Sequence, residues 1–450
     1  MPTAAETFAG WALDLRLENV PADAQRAACR QLLDGIGCAI ASARLDAVPF
    51  AIEAAARFSA PEEATVLGDG HRAPAPIAAL ANGALVHGLD FDDTHQTALV
   101  HATAAVLPAA LAVGEETGAT GAEVLAAAMG GYEIVIRLGA AFPHAFHARG
   151  FHATSVCGVF ASAAVAARLY GLDAAAAADA FGIAGSQAAG SLEFLNTGSN
   201  TKQLHPGLSA AAGITAARLA AAGAEGPASI LEGPYGLYRS YLGEQVDPAS
   251  LTAELGERWE VTRITTKPYP ACQLVHASLD ALATVLERIP DAAAIDTMTF
   301  TVPEGSVPIV CEPAEAKRAP RTPYEGKFSL AYCAAAIVQD RAVTIGSFTP
   351  EQLARTTVLE LAARVGAVTS DFAGPPADAP GMVEVVLRDG TTLHGEVAAC
   401  RGGPEDPLSD DELLEKFVAN VERDGARELA DAVLALAEQP SLKPIVEAAT

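Results

Sequence analysis

The chain has 450 residues, half of them hydrophobic and 19% charged, which is enough for a large core and, at roughly 100–200 residues per domain, for two domains. Its 55 acidic against 29 basic residues give a formal net charge of -26, a field that repels nucleic acid and anionic lipid and excludes both as partners. No window offers the ~18 uninterrupted apolar residues of a membrane span, and the start "MPTAAETFAGWALDL" has no basic n-region, so a soluble, cytoplasmic protein is expected.

From Pro21 to about residue 260 the pattern is helical, in segments rich in alanine and glycine that let helix axes approach closely. They include "PADAQRAACRQLLDGIGCAIASA", "APIAALANGALVHGLDF", "HATAAVLPAALAVGEETG", "GAEVLAAAMGGYEIVIRLGAAF", "TSVCGVFASAAVAARLYG", "DAAAAADAFGIAGSQAAG" and "GLSAAAGITAARLAAAG". In the second, Ile77, Leu80, Ala81, Ala84, Leu85 and Gly88 fall on one helical face. Pro108 predicts a kink in the third, or two shorter helices.

Beyond about residue 265 the character changes. Residues 297–305, "TMTFTVPEG", read as a strand, and residues 382–400 as a hairpin turning at Asp389 and Gly390. "ACQLVHASLDALATVLERI" before the strand and "FSLAYCAAAIVQD" between strand and hairpin read as helices. From Ser409 the pattern is helical again, with Ser409 and Glu412 spaced as a capping box. The expected fold is mainly α: a large all-helical domain, residues 1–265 with residues 401–450 returning to it, and an inserted smaller α+β unit, residues 266–400.

Seven cysteines without a C-x-x-C pair argue against a zinc ribbon, an iron–sulfur cluster or a disulfide framework, and predict reduced, mostly buried thiols. Lysine is scarce: Lys202, Lys267, Lys317, Lys327, Lys416 and Lys443 are all there are. Arginine is the routine surface cation, so each lysine is a minority choice.

Four polar islands stand out. "LDFDDTHQTALVHAT" holds Asp90, Asp92, Asp93, Thr94, His95 and His101 between apolar helices. A helix cap at Asp93 or Thr94 explains one or two of these groups; a site explains more of them. A metal reading ranks lower, because three aspartates within four residues are not expected all to point inward from one turn. "RGFHATSVCG" places His152 among aromatic and small residues, where a buried imidazole needs partners or a task; His144 and His147 before it read as surface histidines. "SLEFLNTGSNTKQLHPGLSAAAG" puts Lys202 and His205 ahead of a helix that Pro206 opens, a setting that favours a carboxylate. In "TTKPYPACQLVHASLDA" Lys267 stands at the presumed domain junction, while His276 on an apolar helix face reads as a core group. Lys327 in "YEGKFSLAY" is a weaker candidate.

Taken together, "NGALVHGLDFDDTH", "AVLPAALAVGE", "GFHATSVCGVFASA", "KQLHPGLSAAAGITAARLA" and "KPYPACQLVHASLDAL" resemble the MmgE/PrpD family from about residue 8 to the C-terminal helices. The family includes 2-methylcitrate dehydratase, cis-aconitate decarboxylase and iminodisuccinate epimerase. The resemblance implies that the α+β unit is a lid, that the protein is a homodimer, and that catalysis needs no metal and no organic cofactor. It places active-site roles on Asp90, Thr94, His101, His152, Lys202 and Lys267. His101 and His152 with Asp90 are then catalytic, and Thr94, Lys202 and Lys267 bind substrate; His205, His276 and Lys327 are further candidates for substrate binding that the resemblance does not itself supply. Three positions depart from the family pattern. The aspartate-to-histidine loop is one residue longer than in cis-aconitate decarboxylase, Val307 or a neighbour stands where that enzyme has a tyrosine, and Ala102 follows His101 where proline is frequent.

The expected activity is a cofactor-independent hydro-lyase acting on a small di- or tricarboxylic acid by proton abstraction next to a carboxylate. Decarboxylation of the cis-aconitate type and epimerisation of the iminodisuccinate type are the close alternatives. A metal-dependent hydrolase and a non-catalytic binding protein are the alternatives of other classes.

Overall fold

The computed structural model describes residues 2–58, 60–372 and 375–450. It is mostly helical, 58% helix against 9% strand, with a small mixed sheet. The chain divides into two compact units: Met1–Glu193, Thr201–Ile264 and Ser409–Thr450 form the first, Phe194–Asn200 and Thr265–Leu408 the second.

The first unit is built of helices whose ends carry their own stop and start signals. Thr3 with Glu6, Thr120 with Glu123, and Ser409 with Glu412 form reciprocal capping boxes, each satisfying backbone N–H groups that a helix start leaves unpaired. Gly118, in the left-handed region, ends the helix Ala102–Thr117. That helix runs as one element through Pro108, so the two-helix alternative does not apply. Its residues 102–114 are buried without interruption, and packing on all sides holds the helix together across the missing amide donor.

The centre of this unit is formed by Ala75–His87, Ala102–Thr117, Gly121–Ala140, Ala153–Leu169 and His205–Ala221. Residues 81–90 are all buried, so Ala75–His87 is an inner helix rather than the one-faced helix its spacing suggests. Several helices pack on it, and one of them comes unusually close through a glycine contact between distant segments. A Cβ on Gly83 would fall 2.5 Å from the backbone of Gly207, and one on Gly207 would fall 2.0 Å from the Leu80 carbonyl oxygen. Bare backbone on both helices permits an approach that any side chain forbids. Dense alanine and glycine packing thereby works beside large buried side chains such as Phe8, Tyr132, Phe160 and Phe181.

In the second unit four strands run in the order Val365–Ser370, Ile295–Pro303, Gly381–Leu387, Thr392–Val397. The first pair is parallel and the others antiparallel. The expected hairpin is present, with Gly390 at φ +90° in its turn. Alternate residues Val383, Val385 and Leu387 face inward, and the helices His276–Ala283 and Leu330–Asp340 pack within this unit. Val365–Ser370 is a strand the sequence did not announce. It lies at the sheet edge with most of its residues exposed, so it lacks the apolar alternation that marks the others.

Among the described residues no single helix is long and apolar enough to cross a membrane. All seven cysteines are free thiols. Of the six lysines only Lys443 is exposed; the other five are buried or half-buried, which bears out their reading as minority choices.

Candidate active site

Residues 88–101 leave the C-terminal end of Ala75–His87 and lead into Ala102–Thr117. The segment is polar and largely buried, so each polar group needs a partner. Two non-glycine residues, Asp90 (φ +52°) and Leu99 (φ +51°), lie in the left-handed region, a conformation that costs energy and that the surrounding packing holds. The His95 N–H donates to the Val100 carbonyl at 2.9 Å and closes the loop.

The turn at Asp90 lets the three aspartates diverge. All three are fully buried, contrary to the expectation that one turn cannot aim them all inward, and each has its own partner. Asp90 Oδ2 lies 3.3 Å from Lys202 Nζ. Asp92 Oδ2 lies 2.8 Å from His87 Nδ1 and 3.6 Å from His101 Nδ1. Asp93 caps the helix that follows: both its oxygens accept from the Thr103 N–H at 3.1 Å, and Oδ2 accepts from Thr103 Oγ1 at 2.8 Å. Burial, with Asp92 adding repulsion, pushes the Asp93 carboxyl well above the usual carboxylate range.

Five imidazoles gather beside these carboxylates. His87 and His101 have ring centroids 4.5 Å apart, and His152 lies 5.7 Å from His87 and 5.8 Å from His101. His152 Nδ1 is 3.1 Å from His205 Nδ1, and the His147 ring meets His152 edge-on at 5.7 Å. His101 Nδ1 lies 2.8 Å from the Asp93 carbonyl. A carbonyl only accepts, so this nitrogen carries the proton and Nε2 of the neutral ring holds the lone pair. His101 is also held through its backbone N–H, which donates to Thr154 Oγ1 at 3.0 Å. Thr94 Oγ1 stands 3.3 Å from the same ring nitrogen.

Burial is the main cause of low basicity here. It pulls His152 well below the ordinary imidazole range, helped by the positive charge of Lys202 and by neighbouring histidines. It lowers His87 despite the opposing pull of Asp92, brings His205 to about 4, and brings His147 to about 3. These four rings are therefore neutral at neutral pH. The Nε2 atoms of His87 and His152 are buried without a hydrogen-bond partner among the described residues.

Lys202 comes from the short turn Thr201–Leu204 that leads into His205–Ala221, with Pro206 in the first turn as expected. The Gln203 side chain pins this turn by donating to the Gly88 carbonyl at 2.6 Å. Asp90, Thr94, His101, His152, Lys202 and His205 thus lie together in the first unit. Lys267, His276 and Lys327 belong to the second. There Lys327 Nζ donates to the Pro270 carbonyl at 2.9 Å and lies 4.5 Å from the Phe348 ring centre. His276 Nε2 is 3.1 Å from the Ala271 carbonyl, its ring against Tyr269, and Lys267 is completely buried.

Sequence reasoning missed His87, Asp92 as a separate partner, and His147. His87 was available as a polar residue at the end of an otherwise apolar inner helix. His147 is half-buried and touches His152, so its reading as a surface group is corrected; the turn Ala145–Ala148 folds it inward. His144 is also half-buried, with Nε2 3.0 Å from the Gln96 carbonyl. Two overlapping groups, His87 with His101 and His152, and Asp90 with Asp92 and His101, each bring one metal-ligand atom per residue within 4.8 Å. By donor type both suit a divalent ion, although the Lys202 ammonium already pairs with Asp90.

Neutral imidazoles, buried carboxylates and one ammonium in a small-residue helical body are groups of the kind that acid–base chemistry on an anion requires. The chain belongs to the MmgE/PrpD family: residues 6–249 match the MmgE/PrpD N-terminal domain and residues 269–438 the MmgE/PrpD C-terminal domain. It is 28% identical over 466 residues to a cis-aconitate decarboxylase of Aspergillus terreus, covering 97% of this chain and 94% of that one. It is 28% identical over 427 residues to a cis-aconitate decarboxylase-like protein of Aspergillus oryzae, covering 90% and 88%. To the human cis-aconitate decarboxylase it is 30% identical over 414 residues, covering 88% and 82%.

Proposed function

We propose that this protein is a lyase that acts on a small di- or tricarboxylic acid through its own side chains, with decarboxylation of a cis-aconitate-type substrate as the first reading. The observation that carries it is the Lys202–Asp90 ion pair beside His101 and His152, in a chain whose relatives along nearly its whole length are cis-aconitate decarboxylases.

The chemistry follows from charge. A substrate carboxylate draws the Lys202 ammonium from Asp90, and exchanging one buried anion for another keeps the ammonium neutralised. The arriving anion raises the proton affinity of the adjacent imidazoles, so rings that are neutral in the free protein take up a proton and become acids. In decarboxylation the bond to the departing carboxylate breaks and CO₂ leaves. The electron pair stays on the substrate, spread toward a remaining carboxylate, and a proton from His101 or His152 completes the product. Asp92, through His87 and beside His101, holds the rings in orientation.

Dehydration is the second reading, favoured by Val307 or a neighbour standing where the resemblance puts a tyrosine. An imidazole then takes a proton from carbon next to a carboxylate, and the hydroxyl leaves with a second proton as water. Lys267 and Lys327 are proposed as further carboxylate ligands, and the protein as a homodimer.

The test is turnover of cis-aconitate and of 2-methylcitrate in D₂O, followed by NMR, with Lys202→Ala alongside. Deuterium in a decarboxylated product supports the first reading and loss of water the second; no turnover of either acid, with no stabilisation of the protein by them, refutes both.

A further inference from the structure

The loop that carries Asp90 and Asp92 is held by a residue more than three hundred positions further along the chain. Lys416 lies on the helix Asp410–Val421, in the same unit as the loop. Its side chain is 8% exposed, unusual for a lysine on an amphipathic helix. Nζ lies 2.7 Å from Asp34 Oδ1 on the helix Ala22–Arg44, 2.9 Å from the Phe91 carbonyl oxygen, and 3.8 Å from the centre of the Phe91 ring.

Phe91 separates the two aspartates, and its carbonyl belongs to the peptide whose nitrogen is that of Asp92. An ammonium bonded to that carbonyl and resting on the ring of the same residue fixes both the peptide plane and the side chain. On one side Asp90 meets Lys202; on the other Asp92 meets His87. The Phe91 residue thus lies between two carboxylates whose directions depend on the course of the backbone at this point. A compact ammonium with three rotatable donors suits this position, and the planar fork of arginine does not.

We propose that Lys416 is a positioning residue, which sets Asp90 and Asp92 through Phe91 with Asp34 as its buried counter-ion. This rests on reading the loop as catalytic, but its structural part can be tested without substrate. The competing view is that Lys416 and Asp34 merely tie two helices together.

Lys416→Met takes the ammonium away from the buried Asp34 carboxylate, so it destabilises the protein under either view. The double variant Lys416→Met with Asp34→Asn removes both charges of the pair and separates the two views. Positioning predicts that thermal stability returns while kcat stays ~10–100-fold down with KM little changed, the scale of a small misplacement of reacting groups. It also predicts that the ¹⁵N signals of the His87 ring, which report its bond to Asp92, differ from wild type in the ligand-free double variant. Recovery of kcat together with stability, or an unchanged His87 spectrum, overturns the proposal. Phe91→Leu keeps the ion pair and removes the ring contact; it should move the same histidine signals, and an unchanged spectrum again overturns it. If the wild type turns over no acid, the lyase reading fails by itself, and the histidine spectra still decide the role of Lys416.

Discussion

Replacing His205 by glutamine should make the protein less sensitive to mild acid. In the folded chain burial brings this imidazole to about 4, against an ordinary value of 6.5. A base depressed in this way favours the fold while it is neutral. Its contribution is fully present above pH ~6.5 and is lost as the pH falls toward ~4, because the unfolded chain gains the proton first. Between pH ~7.5 and ~5 the linkage amounts to about 2 kcal/mol, lost from the wild type and absent from the variant. His147, brought to about 3, contributes in the same direction. Glu133 opposes them: burial raises its carboxyl to about 7, so the folded state takes up a proton before the unfolded one and gains stability as the pH falls. The wild-type slope is therefore a sum, and the difference between wild type and His205→Gln isolates one member. Glutamine keeps a hydrogen-bonding group toward His152. Urea unfolding at the two pH values measures the difference; equal acid losses in both proteins would show that His205 is not held neutral by the fold.

His101→Ala is expected to lower kcat ~10²–10⁴-fold, the usual scale for a lost acid or base, with a small change in the urea midpoint; equal activity in a well-folded variant removes His101 from the mechanism. Gly207→Ala drives a methyl group into the Leu80 carbonyl oxygen and should destabilise the first unit by about 1–3 kcal/mol, read as a fall in melting temperature. Exhaustive dialysis against a chelator should leave turnover unchanged. A loss restored by one equivalent of a divalent ion would make His87, His101 and His152 a metal site and end the cofactor-free reading.

What was legible in the sequence was local. The capping box at Ser409, the Asp389–Gly390 turn and the helical runs depend on residues a few positions apart, and the structure has them where the spacing put them. Pro108 left a break into two helices open because the penalty for a missing donor is local while the packing that overrides it is not. Val365–Ser370 had no local signature, since an exposed edge strand pairs through its backbone with a segment some seventy residues away.

The site divides along the same line. Rare residues announce themselves, so Lys202, His101 and His152 stood out against alanine, and so did the three aspartates. Partners do not, because they are set by backbone turns that composition does not encode. The positive φ at Asp90 sends neighbouring carboxylates to a lysine, a histidine and a helix N-terminus, three different jobs from one acidic run. His87 was hidden for the converse reason. A helix with an exposed face gives a histidine an unremarkable place in water, and only the packing of several distant helices around this one, the Gly83–Gly207 approach among them, turns its imidazole into a group that must have a partner. Lys416 follows the same rule: its scarcity was visible, but its hold on Phe91 required the C-terminal helix to be placed beside a loop that precedes it by most of the chain.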